Sequence, residues 1–466
     1  MSTRKSRKVY AYITLIVFTM VLAVVGILSL IGEKQKYSPV DNRDLAYNPP
    51  FSKATFFSGF YLHAIDSVYA DNFPGRDDLV TAANYIKEHR GYHPPSIGFY
   101  KTQSVEQQVP VDVDTSFGKL DSVIPLDSAD KGPSETNGGV VIYDGRAMEL
   151  FGGTNNMAKL FAACINKYQE ELNGTANIYV AAVPSSIAFY SPTQYRKMAA
   201  SEKNNIDQIY SNLSPGIKAV NAYDEIAAHR NQYIYFGTDH HWTGLGAYYA
   251  YVGFCKSAGI TPIALDAMTH KVKKKYYGSL YFLTKDSRLK DNPDSVEYWI
   301  VPGKHTTLRY GTSLGKGMPG SLYAESASGG NSYGVFLGGD NPLMRIDNEY
   351  NKNGRKCVIV KNSYGNPFST YFTANYETVF VVDYRYYNGS LLDLIKDNKI
   401  NDVIFVNGVF SANTSWHIKM MTKIMKGTGA KNPKPKQDST PKDADSTKSN
   451  ISDSLKNKAG KKSGKN

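Results

Sequence analysis

The sequence predicts an α/β layered fold with a mostly parallel central sheet, preceded by one membrane-spanning helix. Short apolar runs typical of buried strands alternate with segments of helical periodicity over residues 138–410. Parallel strands need long crossovers between them, so this alternation favours a parallel sheet covered by helices. An uncharged run at residues 9–32 lies before the alternation and predicts the membrane helix.

The N-terminal segment predicts a single-pass membrane anchor. As a helix, the run at 9–32 would span roughly 36 Å, enough for a bilayer core of about 30 Å. Four basic residues and no acidic residue precede it, which predicts a cytoplasmic N-terminus and an extracytoplasmic location for the bulk of the chain. A cleaved signal peptide is the alternative, but the run is long for one, and no clear small-residue cleavage site precedes Glu33.

The elements that follow are assigned in chain order. Residues 33–54 are polar and contain proline, which indicates a linker, and residues 56–69 are compatible with a helix. Pro74 and Gly75 mark a tight turn, after which Asp77 is positioned to cap a helix over 78–89. Apolar runs and periodicity then predict strands at 140–143, 178–183, 357–361, 379–382 and 403–406, and helices at 157–172, 206–213, 223–230 and 243–257.

Two regions depart from this pattern. Residues 265–345 contain a lysine–tyrosine run at 273–277 and a glycine- and serine-rich stretch at 315–339, and we interpret them as an insertion or lid with β-rich character. Residues 426–466 are rich in Lys, Ser and Asp and predict a disordered tail. The predicted organisation is a basic tail at 1–8, an anchor at 9–32, a linker at 33–54, an extracytoplasmic domain at 55–425 and the C-terminal tail.

Charge and cysteine content limit the function classes. The net charge is +12, and a good part of it lies at the two ends of the chain. The basic C-terminal tail could contact anionic wall polymers by charge alone; a solubilising tail is equally compatible. The predicted export argues against a nucleic-acid partner. Cys164, Cys255 and Cys357 are far apart without metal-binding spacing, which favours small core residues over disulfides.

One polar turn carries the strongest chemical signal. Asp239 stands two residues before His241, where its carboxylate could orient the imidazole as a general base. Ser363 follows the apolar run at 357–360, at the end of a predicted strand where functional groups gather in parallel sheets. These are the parts of an acyl-transfer triad, which is recognised by geometry rather than chain order. The structural alternative for Ser363 is a serine that only forms a turn. The structural alternative for Asp239 or Thr238 is a side chain that caps the next helix.

A metal site is the competing interpretation of the two adjacent histidines. Two-metal phosphoesterases with an Asp-His-His motif need further Asp-rich motifs, and Asp112 and Asp114 are the only faint counterpart. Without further ligand groups the set is incomplete. We therefore predict no metal and no cofactor.

A family resemblance joins these motifs. Thr238-Asp-His-His-Trp242 resembles the signature of the DHHW family of Gram-positive bacterial surface proteins, which is similar to the SGNH-hydrolase-like proteins that acetylate alginate. The stretches at 72–77 (Asn-Phe-Pro-Gly-Arg-Asp), 361–366 (Lys-Asn-Ser-Tyr-Gly-Asn) and 382–388 (Val-Asp-Tyr-Arg-Tyr-Tyr-Asn) fit in the same order. The resemblance covers residues 56–410.

The resemblance implies an SGNH-hydrolase-like fold and a triad of Asp239, His241 and Ser363. It also implies an acyl relay, in which a membrane-bound O-acyltransferase exports an acyl group and the surface protein passes it to a glycan hydroxyl. One departure is Asn362, since the family usually has Asp before the serine. That change removes a carboxylate beside the nucleophile and leaves an amide as a hydrogen-bond donor.

The sequence therefore predicts a membrane-anchored, extracytoplasmic O-acyltransferase, most simply an O-acetyltransferase, acting on a cell-surface polysaccharide or wall polymer. A carbohydrate esterase with the same triad and a non-catalytic glycan-binding scaffold are the alternatives. Further residues have candidate roles at the oxyanion or the substrate: Asn362, Tyr364, Trp242, Arg76 and Arg385. The alternative role of Trp242 is a core residue, and the alternative role of Arg76 and Arg385 is pairing with a carboxylate. We assign no chemical role to His240.

Overall fold

The computed structural model describes residues 2–31, 37–38, 43–57, 59–88, 97–101, 139–192, 195 and 198–433. Its strands are β1 Tyr37–Ser38, β2 Arg43–Asp44, β3 Ile97–Lys101, β4 Gly139–Tyr143, β5 Arg146–Glu149, β6 Asn177–Val183, β7 Lys218–Ala219, β8 Thr269–Tyr276, β9 Asp294–Ile300, β10 His305–Tyr310, β11 Met318–Pro319, β12 Leu343–Asn348, β13 Lys356–Lys361, β14 Thr378–Asp383 and β15 Asp402–Gly408. Its helices are α1 Ser2–Ile31, α2 Lys53–Phe57, α3 Phe60–Asp71, α4 Arg76–Glu88, α5 Asn155–Leu172, α6 Ile187–Tyr190, α7 Glu202–Ser211, α8 Ala222–Ala227, α9 Gly244–Ala258, α10 Ser279–Thr284, α11 Ser287–Lys290, α12 Gly365–Tyr371, α13 Leu391–Asp397, α14 Val409–Ala412 and α15 Ser415–Lys426. Short 3₁₀ turns occupy Leu265–Ala267, Gly329–Val335 and Phe372–Ala374.

An eight-stranded mixed sheet organises the fold, in the order β11-β10-β12-β14-β13-β15-β6-β7. The five strands from β14 to β7 are parallel, whereas β12, β10 and β11 are added antiparallel to β14. The predicted α/β layered class is confirmed. Strands β10 and β11 lie in the region interpreted as an insertion at 265–345, and β12 begins in it and ends at Asn348, so part of that region extends the main sheet.

Helices cover both faces of this sheet. Because side chains alternate along a strand, β13 directs Val358 and Val360 to one face and Cys357 and Ile359 to the other. Helices α5, α7, α13 and α15 pack on the first face, and α8, α9 and α12 pack on the second. The three cysteines are buried and unbridged, in agreement with the predicted role as core residues.

Two hairpins matter for the site. Strands β4 and β5 are joined by Asp144 and Gly145, both at positive φ (49° and 69°), as a tight hairpin turn requires. Strands β8 and β9 form a separate two-stranded ribbon with a bulge at Lys275, whose φ is 60°. A bulge re-aims the side chain that follows it, and here that side chain is Tyr276.

The N-terminal helices differ in detail from the prediction. Within α1, Val9–Ser29 is long and apolar enough to cross a bilayer and fits either a membrane anchor or a signal sequence. The segment predicted as one helix over 56–69 is split between α2 and α3, since Gly59 stands at φ 79°. Helix α4 begins at Arg76, so Asp77 lies in its first turn. Asp112, Asp114 and residues 434–466 lie outside the described residues.

Candidate active site

The Asp-His loop is a short excursion closed at its base. Tyr235 and Trp242 form an antiparallel bridge, and Thr243 caps α9 by accepting a 3.2 Å hydrogen bond from the Gly246 N–H. The helix cap is therefore supplied after the loop, which leaves Asp239 available for other contacts. The Asp294 carboxylate accepts hydrogen bonds from the backbone N–H groups of Gly237 (2.8 Å) and Thr238 (2.6 Å) and so holds the loop in place.

The structure brings Asp239, His241 and Ser363 together in one hydrogen-bonded line. His241 Nδ1 lies 2.6 Å from Asp239 Oδ1, and His241 Nε2 lies 2.7 Å from Ser363 Oγ. The His241 backbone N–H also donates to Asp239 Oδ1 at 2.9 Å, which fixes the carboxylate against the base of the ring. Both bonds to the ring are within hydrogen-bond reach, and the bond to Ser363 joins residues 122 positions apart in the sequence.

The second oxygen of Asp239 is held by the β8–α10 junction. Tyr276 donates its hydroxyl to Asp239 Oδ2 at 2.9 Å, and the Ser279 backbone N–H donates to the same oxygen at 2.7 Å. Burial alone would raise the pKa of the Asp239 carboxyl, but the His241 and His240 rings outweigh burial and hold that pKa well below its usual range. Asp239 is thus a buried, ionised carboxylate with each oxygen fixed by two donors.

Ser363 stands at a sharp turn between a strand and a helix. Strand β13 ends at Lys361 and α12 begins at Gly365, so the serine projects from the carboxyl edge of the sheet. A Cβ on Gly365 would lie 2.3 Å from the Lys361 Cβ, which requires glycine two residues after the serine. Ser363 is partly exposed between buried neighbours. This strand–turn–helix arrangement has the form of a nucleophile elbow.

Tyr333 joins the two halves of the site and was not identified from the sequence. Its ring stacks on His241, with centroids 4.3 Å apart and planes 16° apart, and its hydroxyl donates to the Ser363 carbonyl at 3.0 Å. It comes from the 3₁₀ turn Gly329–Val335, inside the glycine- and serine-rich stretch. No local motif marks it, because its role depends on tertiary contacts.

The residues flanking Ser363 have defined partners. The Asn362 side chain donates to Ser411 Oγ at 2.8 Å and accepts the Tyr364 backbone N–H at 3.2 Å. Trp242 is fully buried and donates its indole N–H to the Tyr364 carbonyl at 2.9 Å. Of the two interpretations of Trp242, this burial favours the core, where the indole supports the serine turn from beneath.

A group of four charges, of which Lys361 and Asp383 are buried, lies directly beyond the serine turn. Lys361 Nζ contacts Asp383 Oδ2 at 2.7 Å and Asp340 Oδ1 at 2.9 Å, and Arg385 contacts the same two carboxylates at 2.6 and 2.7 Å. Burial would raise the pKa of the Asp340 carboxyl, but Lys361 and Arg385 hold it well below its usual range. The two cations balance the two anions, so Arg385 has an ion-pair role here.

His240 and Arg76 lie outside the hydrogen-bonded line. His240 Nδ1 is 2.7 Å from Ser279 Oγ, and burial together with the neighbouring His241 lowers the pKa of its imidazole. Arg76 donates to Asp77 at 2.8 Å and lies 3.8 Å from Asp71, so it pairs with carboxylates in the first turn of α4 and at the end of α3. A substrate-binding role for Arg76 stays a prediction.

The geometry of the Asp-His-His cluster fits hydrogen bonding better than metal ligation. The candidate ligand atoms of Asp239, His240 and His241 lie within 4.8 Å of one another. However, the Asp239 Oδ1 and His241 Nδ1 atoms are only 2.6 Å apart, whereas two ligand atoms around a tetrahedral ion at ~2.1 Å stand about 3.4 Å apart. The atoms that would bind an ion are therefore engaged with each other.

The layered α/β fold thus holds an Asp–His–Ser hydrogen-bonded line at the carboxyl edge of its sheet. A family model described as DHHW protein matches residues 104–382, which is more than half of the chain. The protein belongs to the DHHW family, as the motifs in its sequence indicated.

Solved structures similar to this chain include a member of the same family. The crystal structure of a DHHW family protein from Eubacterium siraeum DSM 15702 is 32% identical, covers 62% of this chain and 96% of that chain, and superposes with a TM-score of 0.58. Bacillus cereus PatB1, solved with a sulfonyl adduct, is 19% identical with a TM-score of 0.52, over 62% of this chain and 99% of that chain. A more distant match is the O-acetyltransferase domain of Pseudomonas putida AlgJ, 14% identical with a TM-score of 0.35, over 60% of this chain and 96% of that chain. Comparison with curated proteins gave no significant match.

Proposed function

We propose that this protein is a membrane-anchored, extracytoplasmic O-acyltransferase that modifies a cell-surface glycan or wall polymer. The observation that carries the proposal is the continuous hydrogen-bonded line from Asp239 Oδ1 through the His241 ring to Ser363 Oγ, with distances of 2.6 and 2.7 Å. The apolar segment Val9–Ser29 supports attachment to a membrane. Transfer of an acetyl group in particular follows from the family resemblance in the sequence.

In the first half-reaction, Ser363 Oγ attacks the carbonyl carbon of an acyl donor while His241 Nε2 takes the hydroxyl proton. The buried Asp239 carboxylate keeps the Nδ1 proton on the ring and stabilises the imidazolium that forms. The tetrahedral intermediate then collapses, His241 gives its proton to the leaving oxygen, and the acyl group stays on Ser363 as an ester.

In the second half-reaction, an acceptor hydroxyl takes the place of the leaving group. His241 Nε2 removes the proton of this hydroxyl as its oxygen attacks the ester carbon, and the proton returns to Ser363 Oγ when the serine ester breaks. If water attacks instead, the same residues make the protein an esterase. The two activities therefore differ in access of the acceptor to the acyl-enzyme and not in the triad.

We propose the Tyr364 backbone N–H as one donor to the developing oxyanion. In the structure this N–H donates to Asn362 Oδ1 at 3.2 Å, which is at the long end for an N–H···O bond. The N–H can therefore leave Asn362 and donate to the negatively charged oxygen of the intermediate. The Asn362 amide nitrogen bonds Ser411, so we assign Asn362 to the shape of the turn. A membrane-bound O-acyltransferase as the source of acyl groups stays part of the proposal.

A serine-directed fluorophosphonate tests the nucleophile on the full-length protein in detergent. We expect stoichiometric labelling of Ser363, no labelling of Ser363→Ala, and labelling slowed by at least about a hundredfold in His241→Ala, because the general base is lost. Well-folded protein that takes no label, or a His241→Ala variant that labels at the wild-type rate, would favour a non-catalytic glycan-binding scaffold.

A partition experiment separates transfer from hydrolysis. The acyl-enzyme is formed from p-nitrophenyl acetate, and free acetate is compared with acetyl ester on an added oligosaccharide. A transferase gives a rising share of ester as the oligosaccharide concentration rises. Release of free acetate alone, at every oligosaccharide concentration, would identify an esterase.

A further inference from the structure

Strand β8 lies at the edge of its ribbon and is rich in lysine. It pairs with β9 along one side and has no strand partner on the other side among the described residues. Four of its eight residues are lysines, at positions 271, 273, 274 and 275. At about 3.3 Å per residue the strand is roughly 26 Å long.

Positive charge is in excess around this strand. Residues 269–290 contain seven lysines and arginines and one carboxylate, Asp286, which pairs with Arg288 at 2.6 Å. Lys271 pairs with Glu325 at 2.6 Å, and on β9 Glu297 lies 3.9 Å from His270. Lys274 and Lys275 are exposed. Local carboxylates therefore leave part of the charge of the strand uncompensated.

The near end of the ribbon is built into the catalytic loop. Tyr276 at the end of β8 holds Asp239 Oδ2, and Asp294 at the start of β9 holds the backbone N–H groups of Gly237 and Thr238. A polymer bound along β8 would thus lie at a fixed distance from His241.

A polar pocket lies at the far end of the ribbon. Its volume is about 280 Å³, and it is lined by Ile300, His305, Thr307, Ser321, Tyr323 and Glu325. Hydroxyl, imidazole and aromatic groups of this kind suit a sugar or polyol unit. Glu325 links the pocket to β8, because its carboxylate binds Lys271 and its carbonyl accepts Lys273 Nζ at 2.6 Å.

We propose that β8 and this pocket form the binding site for a polyanionic acceptor polymer, whose carboxylate or phosphodiester groups contact the lysines while one unit enters the pocket. The inference deepens the proposed function by naming the acceptor class, and the role of the polymer as acceptor rests on that function. Binding of the polymer does not require catalysis and can be measured without it.

The test measures binding to the full-length Ser363→Ala protein, so that no acyl transfer takes part. The probes are polygalacturonate for carboxylates and poly(glycerol phosphate) for phosphodiesters, with dextran as the neutral polymer. The variant is Lys273→Gln/Lys274→Gln/Lys275→Asn, in which Asn suits the left-handed backbone of position 275. The matched control is Lys159→Gln/Lys396→Gln/Lys419→Gln, which removes the same charge from exposed positions on α5, α13 and α15, on the other face of the sheet.

We expect salt-sensitive binding to a polyanion, no binding to dextran, and roughly tenfold weaker binding in the β8 variant with the control unchanged. The better of the two polyanions identifies the anionic group. Equal binding by the β8 variant and the parent protein, or equal loss in the control variant, would overturn the proposal, since the basic tail or overall charge would then account for binding.

Lysines on an edge strand also prevent pairing with other chains. If that is their only role, the β8 variant associates on sedimentation while each dissolved molecule binds polymer as before, and the proposal fails. Failure of the proposed function gives a different result. Polymer binding then persists, but Ser363 of the wild-type protein reacts with neither the fluorophosphonate nor an acyl donor.

Discussion

The Tyr333 ring lies flat against His241, 4.3 Å between centroids, and its hydroxyl bonds the Ser363 carbonyl at 3.0 Å. One side chain thus sets the plane of the imidazole and the position of the serine turn at the same time. Both contacts act on residues whose side chains take part in the proposed proton transfer, so we treat Tyr333 as a positioning residue.

Two substitutions separate these contacts. Tyr333→Phe keeps the stacked ring and loses the hydrogen bond, which costs about 1 kcal/mol and slows Ser363 labelling by roughly fivefold. Tyr333→Leu loses both contacts, and we expect a further loss of about tenfold, because the His241 ring is free to tilt. Stopped-flow measurement gives the rate of Ser363 labelling in each variant, and thermal melting gives its stability. If the two variants label alike at equal stability, the stack has no positioning role.

Asn362 provides a second comparison, at the position where the family usually has Asp. The carboxylate introduced by Asn362→Asp can accept both the Tyr364 N–H and the Ser411 hydroxyl, so this variant keeps the turn and we expect labelling within about threefold of wild type. Asn362→Leu leaves the buried partners unsatisfied, at a cost of about 1–3 kcal/mol. Urea unfolding measures the stability change of each variant. A strongly impaired Asn362→Asp protein would show that the amide itself is needed.

Much of the sheet was predictable because its central strands are buried on both faces. The predicted strands at 357–361, 379–382 and 403–406 lie within the observed strands β13, β14 and β15, since a continuous apolar run is the direct consequence of such burial. Strand β10 was not predicted: its residues are mostly polar, and only Thr307 and Tyr310 among them are buried, as expected near the edge of a sheet.

The site residues also divide into those that a local sequence pattern marks and those that it does not. Asp239 and His241 are two residues apart, and Ser363 ends an apolar run, so each leaves a local signal. Tyr276 and Tyr333 reach the site through a bulge and a 3₁₀ turn, and their contacts exist only once distant segments have packed. The ion pairs of Lys361 were hidden for the same reason.

Glu202 makes stability depend on pH. Its carboxylate is buried and accepts the Ser185 N–H at 2.7 Å and the Ser185 hydroxyl at 2.6 Å, and burial raises its pKa from 4.5 to about 7. Between these values the folded state holds more protons than the unfolded state, so stability falls as pH rises from about 4.5 to about 7, by an amount on the order of 3 kcal/mol. Glu202→Gln keeps both contacts without the charge and should remove this decline. Urea unfolding at pH 5 and pH 8 measures it; an equal decline in the variant would assign the effect to other groups.

Gly278 gives the sharpest steric test of the Asp239 position. A Cβ at Gly278 would lie 2.2 Å from the Asp239 Cβ, far inside van der Waals contact, although its φ of −95° suits any residue. Gly278→Ala must therefore move Asp239, and we expect Ser363 labelling to fall by about a hundredfold, as misplacement of a catalytic group by ~1 Å produces. Gly311→Ala is the matched control, since a Cβ there meets nothing within 4 Å. Circular dichroism and thermal melting establish that Gly278→Ala remains folded. Wild-type labelling by a folded Gly278→Ala protein would mean that the Asp239 position does not limit the reaction, and the role of the carboxylate in the triad would be lost.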